Sequence, residues 1–138
     1  MERPIGYWLK RVDRLIEAAA DHVFADAGLG RRHWQVLNTL YEAPRTPSDL
    51  AEALRPFWAA GEITQEEVIG ELARRGWAVQ DGAGRHTLTA DGMAGHAAIQ
   101  EKINGIRSAT VDGLADDDYH RTVAVLRRMA ENLEAVMR

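Results

Sequence analysis

The chain has 138 residues, of which 46% are hydrophobic and 28% charged, and it carries a formal net charge of −4 at pH 7. These values predict one globular domain, exclude a disordered chain and give no general attraction to nucleic acid or anionic membranes. The absence of cysteine excludes disulfides and thiolate metal sites. No window holds the roughly 18 apolar residues of a membrane span, and the charged N-terminus is unlike a secretory signal, so we expect a soluble, cytoplasmic protein without a membrane partner.

The first predicted helix runs from Pro4 to about Ala27. Pro4 suits a first helical turn, and Gly28 suits the end of the helix. The apolar residues recur every three or four positions and form one stripe: Ile5, Trp8, Leu9, Val12, Leu15, Ile16, Ala19 and Val23. A domain this small cannot bury one stripe along a helix of about six turns, so we expect this helix to pack against more than its own chain.

Two shorter helices follow. GRRHWQVLNTLYEAP predicts the second, whose apolar side consists of Trp34, Leu37, Leu40 and Tyr41. TPSDLAEAL predicts the third, because Thr46 is placed to cap it and Pro47 to occupy its first turn. Asp49 is placed at the positive end of the same helix.

The fourth helix begins at Thr64, where TQEE forms a capping box in which Thr64 and Glu67 bond each other's backbone. Gly76 ends this helix. Its inner face consists of Val68, Ile69 and Leu72.

The segment WAVQDGAGRHTLT predicts a short β-hairpin, in which Trp77 and Val79 alternate with Ala78 and Gln80. Thr89 then caps a helix to about residue 110, and ADDDYH opens a final helix that reaches Met137. The stripe of this last helix is Tyr119, Val123, Leu126, Ala130, Leu133 and Met137.

The order of these elements and their motifs resembles the MarR family of bacterial transcriptional regulators over nearly the whole chain. RRHWQVLNTLYEAP is similar to the family's second helix and TPSDLAEAL to its third. ELARRGW is similar to the end of its recognition helix, LTADGMAGHAAI to the segment after its wing, and LADDDYHRTVAVLRRM to its C-terminal dimerisation helix.

The resemblance implies a mainly α fold in a single domain of residues 1–138. Residues 43–90 would form a winged helix-turn-helix lobe with a small β-hairpin wing, and residues 4–42 and 91–138 would supply dimerisation helices. It implies a homodimer that binds double-stranded DNA, represses a nearby gene and responds to small, often aromatic effectors, with no enzyme activity and no cofactor. The two apolar stripes support the homodimer independently.

The resemblance also assigns DNA contacts to the fourth helix and the wing. Thr64 and Gln65 are the candidate base readers. Arg74 and Arg75 end the recognition helix, and Arg85 stands at the place of the family's wing arginine, where it can enter a narrow minor groove.

This lobe departs from the family pattern in length and in charge. The segment between Leu50 and Trp77 is about four residues longer than the family's spacing, with the surplus around RPFWAAG. Glu62 and Glu67 stand where basic residues are common, and Glu66 and Glu71 are also acidic. Residues 43–90 hold five basic and seven acidic residues, a net charge of −2, although duplex binding draws much of its affinity from neutralised phosphates.

For the effector, the resemblance indicates the place where the dimer helices meet the winged lobe. The matching residues are Trp8, Arg11, His33 and Trp34. Trp8 and Arg11 share a helix face, so one can stack on an aromatic ring while the other pairs with a carboxylate, and His33 can add a switchable donor. The alternative is that Trp8 packs in the dimer interface while Arg11 forms a surface ion pair. From their neighbours, Trp34 and Trp77 are both predicted to be core residues.

Two function classes therefore stay open. The first is a ligand-responsive transcriptional regulator. The second is a winged-helix dimer that has lost DNA reading and binds, or transforms, a small aromatic molecule in its inter-domain cavity. The glutamates of the fourth helix fit a solvated face better than catalytic acids, and the five scattered histidines lack metal-site spacing.

Overall fold

The computed structural model describes residues 2–58 and 61–138. Within these ranges the elements are α1 (Ile5–Asp26), α2 (Arg31–Glu42), α3 (Pro47–Leu54), a 3-10 helix (Arg55–Phe57), α4 (Gln65–Arg74), β1 (Ala78–Gln80), β2 (His86–Leu88), α5 (Ala90–Thr110) and α6 (Asp118–Val136). This is the mainly α architecture with one β-hairpin that the sequence predicted.

The helix ends follow from local chemistry. α1 begins directly after Pro4, which needs no hydrogen-bond partner at a helix start because it has no N–H. Gly28 follows α1 with a φ of +74°, a left-handed conformation that favours glycine. The Oγ1 atom of Thr46 accepts the backbone N–H of Asp49 at 3.1 Å, so the predicted cap of α3 is confirmed.

The core lies where α2, α3 and α4 meet. Leu37, Leu50 and Leu72 are fully buried and join these three helices. Each such side chain contributes about 2 kcal/mol by leaving water. The buried apolar residues are Phe24, Val36, Leu37, Leu40, Leu50, Leu54, Val68, Leu72, Ala78 and Ile99. Trp34 and Trp77, both predicted to be core residues, are half-buried and pack against this cluster.

The wing is the antiparallel pair of β1 and β2, in which Val79 lies opposite Thr87. Arg45, just before α3, forms an antiparallel bridge to His86 and so attaches the wing to the lobe. Ala78 is the buried residue of β1. Val79 is exposed, although the predicted alternation grouped it with the half-buried Trp77.

α5 passes so close to the wing that two of its positions require glycine. A Cβ atom added to Gly92 would lie 2.1 Å from the carbonyl oxygen of Trp77, and one added to Gly95 would lie 2.4 Å from the Trp77 ring. The helix start is held at the same place, because Thr89 Oγ1 accepts the backbone N–H of Gly92 at 3.1 Å and donates to the carbonyl of Gly76 at 2.6 Å. The start of α5 and the base of the wing are therefore in direct contact.

The lengthened segment after α3 begins with the 3-10 helix and continues with Trp58 in an extended conformation. Residues 59 and 60 of RPFWAAG lie outside the described residues. Gly61, with a φ of +89°, resumes the described chain three residues before the cap of α4.

The chain divides into two compact units, one reaching Ile106 and the other running from Arg107 to Arg138. In the first unit, the early turns of α1 expose their stripe; Leu15, for example, keeps 55% of its surface accessible. In the second unit, α6 buries none of its residues. No helix in residues 2–58 and 61–138 is long and apolar enough to cross a membrane.

Candidate nucleic-acid interface and effector site

α4, the predicted recognition helix, has the predicted capping box at its start. Thr64 Oγ1 accepts the backbone N–H of Glu67 at 3.1 Å, and the Glu67 carboxylate accepts from the Thr64 backbone N–H at 3.4 Å and from its hydroxyl at 3.0 Å. Val68 and Leu72 face the core. The capping carboxylate of Glu67 lies at the positive end of the helix, where its charge is stabilising.

Gln65 follows the cap and reaches back to α3. Its Nε2 atom donates to the carbonyl oxygen of Pro47 at 3.0 Å, which joins the starts of the two helices. That bond occupies one amide hydrogen and leaves the side-chain oxygen for another donor.

The consecutive arginines at the end of α4 have different surroundings. Arg75 donates to the carbonyl oxygens of Ala27 at 2.7 Å and Gly28 at 3.2 Å, and its guanidinium lies 4.9 Å from the ring centroid of Trp77. It therefore caps the C-terminal end of α1. Arg74 is exposed and, among the residues that the structure describes, its side chain makes no hydrogen bond or ion pair.

The side chain of Arg85 is bonded to the turn of the wing. Arg85 Nε donates to the Asp81 carboxylate at 3.0 Å, and the other oxygen of that carboxylate accepts the backbone N–H groups of Ala83 and Arg85, each at 2.9 Å. The backbone hydrogen bond from Arg85 is the main cause that lowers the pKa of Asp81. The carboxylate thus organises the turn and orients the wing arginine.

Most of the glutamates around α4 are bonded within the chain. Arg32 of α2 donates to Glu62 at 2.6 Å, and His33 Nε2 contacts the carboxylate of Glu71. Glu67 belongs to the capping box. Glu66 is exposed and, within the described ranges, its side chain has no hydrogen bond or ion pair.

The four predicted effector residues do not meet within one chain. Trp8 is exposed and lies edge-on to Tyr7, at 5.0 Å between ring centroids. Trp34 stacks on Phe24, 5.8 Å between centroids. Phe24 follows Trp8 by 16 residues of continuous helix, which is about 24 Å along the axis. Arg11 is exposed, one turn after Trp8.

His33 is turned towards α4, because its Nδ1 atom accepts the backbone N–H of Gly30 at 3.1 Å while Nε2 contacts Glu71. Since Nδ1 is an acceptor, Nε2 carries the hydrogen and donates to the carboxylate.

A groove of about 490 Å³ lies instead between α2 and α5. Its lining residues are Asn38, Tyr41, Glu42, His96, Ala97, Gln100, Glu101 and Asn104. His96 is only 4% exposed and is stacked between the rings of Trp34, at 4.9 Å, and Tyr41, at 3.9 Å. Its Nε2 atom lies 3.0 Å from the side-chain oxygen of Asn38. Burial lowers the pKa of His96, because the apolar stack disfavours the charged ring.

The position of His96 in the groove between α2 and α5 was not predicted from the sequence. A signal was present, because Gly92, His96, Ile99 and Ile103 recur at helical spacing on the inner side of α5. No group of three His, Asp or Glu side chains in the described ranges is arranged to hold a metal ion.

No protein-family model matches the chain. Solved structures do resemble it. MepR, a transcription regulator of the Staphylococcus aureus multidrug efflux pump MepA, superposes with a TM-score of 0.76 at 19% identity, over 95% of this chain and 99% of that one. A MarR family protein of Mycobacterium tuberculosis, solved in complex with DNA, gives 0.68 at 22% identity, over 93% and 98%.

BpsR of Bordetella bronchiseptica, whose DNA binding is regulated by 6-hydroxynicotinic acid, gives a TM-score of 0.62 at 24% identity, over 93% of this chain and 94% of that one. The chain therefore has the winged-helix fold of MarR-type transcription regulators, as its motifs predicted.

Proposed function

We propose that this chain is a homodimeric, ligand-responsive DNA-binding transcription regulator of the MarR type, acting as a repressor and not as an enzyme. The observation that carries the proposal is the organised reading surface. α4 is capped by Thr64 and packed through Val68 and Leu72, and the wing holds Arg85 against Asp81. Such a helix beside an ordered wing suits a major groove and the adjacent minor groove.

Within this function, Thr64 and Gln65 read base edges in the major groove. Arg74 contacts phosphate, and its freedom from internal bonds supports this role. Arg85 reaches the minor groove from the wing. Arg75 remains part of the predicted DNA surface, but its bonds to Ala27 and Gly28 direct two of its N–H groups into the fold.

The homodimer is supported by the exposed stripes of α1 and α6. Trp8, Leu9 and Val12 belong to the α1 stripe, and each keeps about half of its surface accessible in the single chain. Contiguous apolar surface of this extent is uncommon on a monomer. A two-fold pairing of such helices also presents two recognition helices to two half-sites.

The effector is proposed to be a small aromatic molecule, as first predicted for Trp8, Arg11, His33 and Trp34. Because Trp8 lies about 24 Å along α1 from the residue on which Trp34 stacks, one chain cannot close this set around a small ring. A second copy of Trp8 and Arg11, brought by the partner, completes it. An effector that engages His33 competes with Glu71 and so acts directly on the recognition helix.

An electrophoretic mobility shift tests this function directly. The protein is titrated against the DNA that flanks its own gene, at about 50 and about 200 mM salt, beside a scrambled duplex of equal length. We expect saturable binding that weakens with salt and at least a roughly tenfold preference over the scrambled duplex. Equal, weak binding of both duplexes would contradict the proposal.

The second candidate function is a winged-helix dimer that no longer reads DNA and binds or transforms a small aromatic molecule. The net charge of −2 over residues 43–90 and the exposed Glu66 favour it. The two functions separate in one further measurement. Saturable quenching of tryptophan fluorescence by an aromatic acid, together with no DNA shift at low salt, would select this candidate.

A further inference from the structure

Two glutamates that flank the reading surface are held by neighbouring residues at the start of α2. Arg32 binds Glu62, three residues before α4, and His33 binds Glu71 in the second half of α4. One turn of α2 therefore contacts the recognition segment at two places, nine residues apart. We call Glu62 and Glu71 the acid anchors.

The first contact is part of a larger network that includes the lengthened segment before α4. Arg32 also donates to Gln35 Oε1 at 3.0 Å and lies 5.9 Å from the ring centroid of Trp58. Trp58 Nε1 donates to the same Gln35 oxygen at 2.7 Å. The described residues on both sides of positions 59 and 60 are thus bound to α2, Trp58 on one side and Glu62 on the other.

The α2 partners of the acid anchors are well shielded from water. The side chain of Arg32 is 20% exposed and that of His33 is 12% exposed. Salt therefore screens the Arg32–Glu62 ion pair less than a fully exposed pair, while the His33–Glu71 contact is a hydrogen bond that Nε2 donates to the carboxylate. His33 is fixed further by the hydrogen bond that Nδ1 accepts from the backbone of Gly30.

From this geometry we infer that Arg32 and His33 are positioning residues for DNA recognition, which set the orientation of α4 by holding Glu62 and Glu71. The inference rests on the proposed function for its DNA-binding consequence. It also accounts for two of the seven acidic residues of the lobe, because the acid anchors are bonded to α2. Glu66 lies on the same helix and provides the matched control, because among the described residues it has no such contact.

Hydrogen exchange of the protein without DNA tests whether the contacts of Arg32 with Glu62 and of His33 with Glu71 stabilise α4. In Glu62→Gln and Glu71→Gln, we expect backbone amides of α4 to exchange about tenfold faster, because the helix loses one attachment, while amides of α5 are unchanged. Glu66→Gln should exchange as the wild type does. Equal exchange in all three variants would overturn the inference.

DNA binding tests the consequence, with a duplex that the wild type selects from a randomised pool. Glu62→Gln and Glu71→Gln should bind this duplex about five- to tenfold more weakly although each variant has lost a negative charge, whereas Glu66→Gln should bind as well or better. If all three variants bind more tightly, the acid anchors face the duplex and the inference is wrong.

Arg32 needs a separate measurement, because an arginine could also affect DNA binding by contacting phosphate directly. Arg32→Met should weaken binding while the slope of log affinity against log salt stays unchanged, and the exchanged pair Arg32→Glu with Glu62→Arg should recover most of the affinity. A slope reduced by about one unit would instead show a lost phosphate contact. If the wild type selects no duplex, the proposed function is contradicted. Hydrogen exchange alone then tests whether Arg32 and His33 hold α4 through Glu62 and Glu71.

Discussion

The winged lobe and the terminal helices bury their apolar residues in different ways. Leu50 and Leu72 of the lobe, and Leu37 of the adjoining α2, are fully covered by residues of the same chain, and α3 and α4 are capped at their starts. Along α1 the stripe residues Trp8 and Leu15 stay about half exposed, although the helix itself is long and regular. The lobe buries its core within one chain, whereas the early turns of α1 leave their stripe exposed and α6, among the described residues, has no buried residue.

The largest expected effect therefore comes from a charge placed in the α1 stripe. Leu15→Asp should weaken the proposed homodimer by about 4 kcal/mol, close to a thousandfold in dissociation constant, because an unpaired carboxylate would be buried in an apolar interface. Light scattering at micromolar concentration should show a monomer. Lys10→Asp, on the polar side of the same helix, should remain a dimer. A wild type that is itself a stable monomer would remove the basis of the comparison.

One added methyl group should have a comparable effect where α5 packs against the base of the wing. Gly95→Ala should lower the free energy of unfolding by about 3 kcal/mol, because the new Cβ would lie 2.4 Å from the Trp77 ring. Gly105→Ala is the control in the same helix, since its Cβ would meet nothing within 4 Å, and it should stabilise α5 by about 0.5–1 kcal/mol. Urea denaturation measures both changes. Equal effects of the two substitutions would show that α5 does not pack on the wing as described.

Removal of the wing arginine is expected to have a smaller effect than Leu15→Asp or Gly95→Ala. Arg85→Ala should weaken binding to all duplexes about tenfold, roughly 1.4 kcal/mol, whereas Gln65→Ala should mainly relax the preference at one or two base pairs. Mobility shift on a panel of single-base operator variants separates the two patterns. Unchanged affinity in Arg85→Ala would show that the assignment of the wing is wrong.

The smallest effect concerns pH and the buried His96. Its pKa is lowered in the folded protein from the ordinary 6.5, so the unfolded chain binds a proton more readily. The stabilising contribution of the neutral ring is therefore complete above pH 6.5 and is lost as the pH falls through the folded-state pKa. His96→Gln should reduce this pH dependence without abolishing folding. Parallel stability curves for the two proteins between pH 7 and 5 would contradict it.

Much of the fold could be predicted because local signals agree with the tertiary structure. Pro4, Thr46 and Thr64 mark helix starts through chemistry that acts within a few residues, and apolar spacing identified the faces of α2 and α4. The structural neighbours confirm the winged-helix fold that these elements compose. Residues 59 and 60, in the lengthened segment, lie outside the described residues.

The site was harder to predict, because the direction of a long polar side chain depends on what lies beside it in space. From the sequence, Glu62 and Glu71 are expected to face solvent. In the structure, Arg32 and His33 bind them from a helix some 30 to 40 residues earlier. The stack around His96 likewise joins α2 with α5. No spacing rule within one element reports such contacts.

The bonds from Arg75 to the end of α1 affect the spacing of DNA half-sites that a dimer of this chain could bind. They join Arg75, the residue directly after α4, to the carbonyl oxygens of Ala27 and Gly28 at about 3 Å. If two chains pair through α1, the separation of their recognition helices is set by a short, stiff linkage at each side and not by flexible loops. Such a reader tolerates little variation in the number of base pairs between half-sites, since one added base pair rotates the second half-site by about 34° and shifts it by about 3.4 Å.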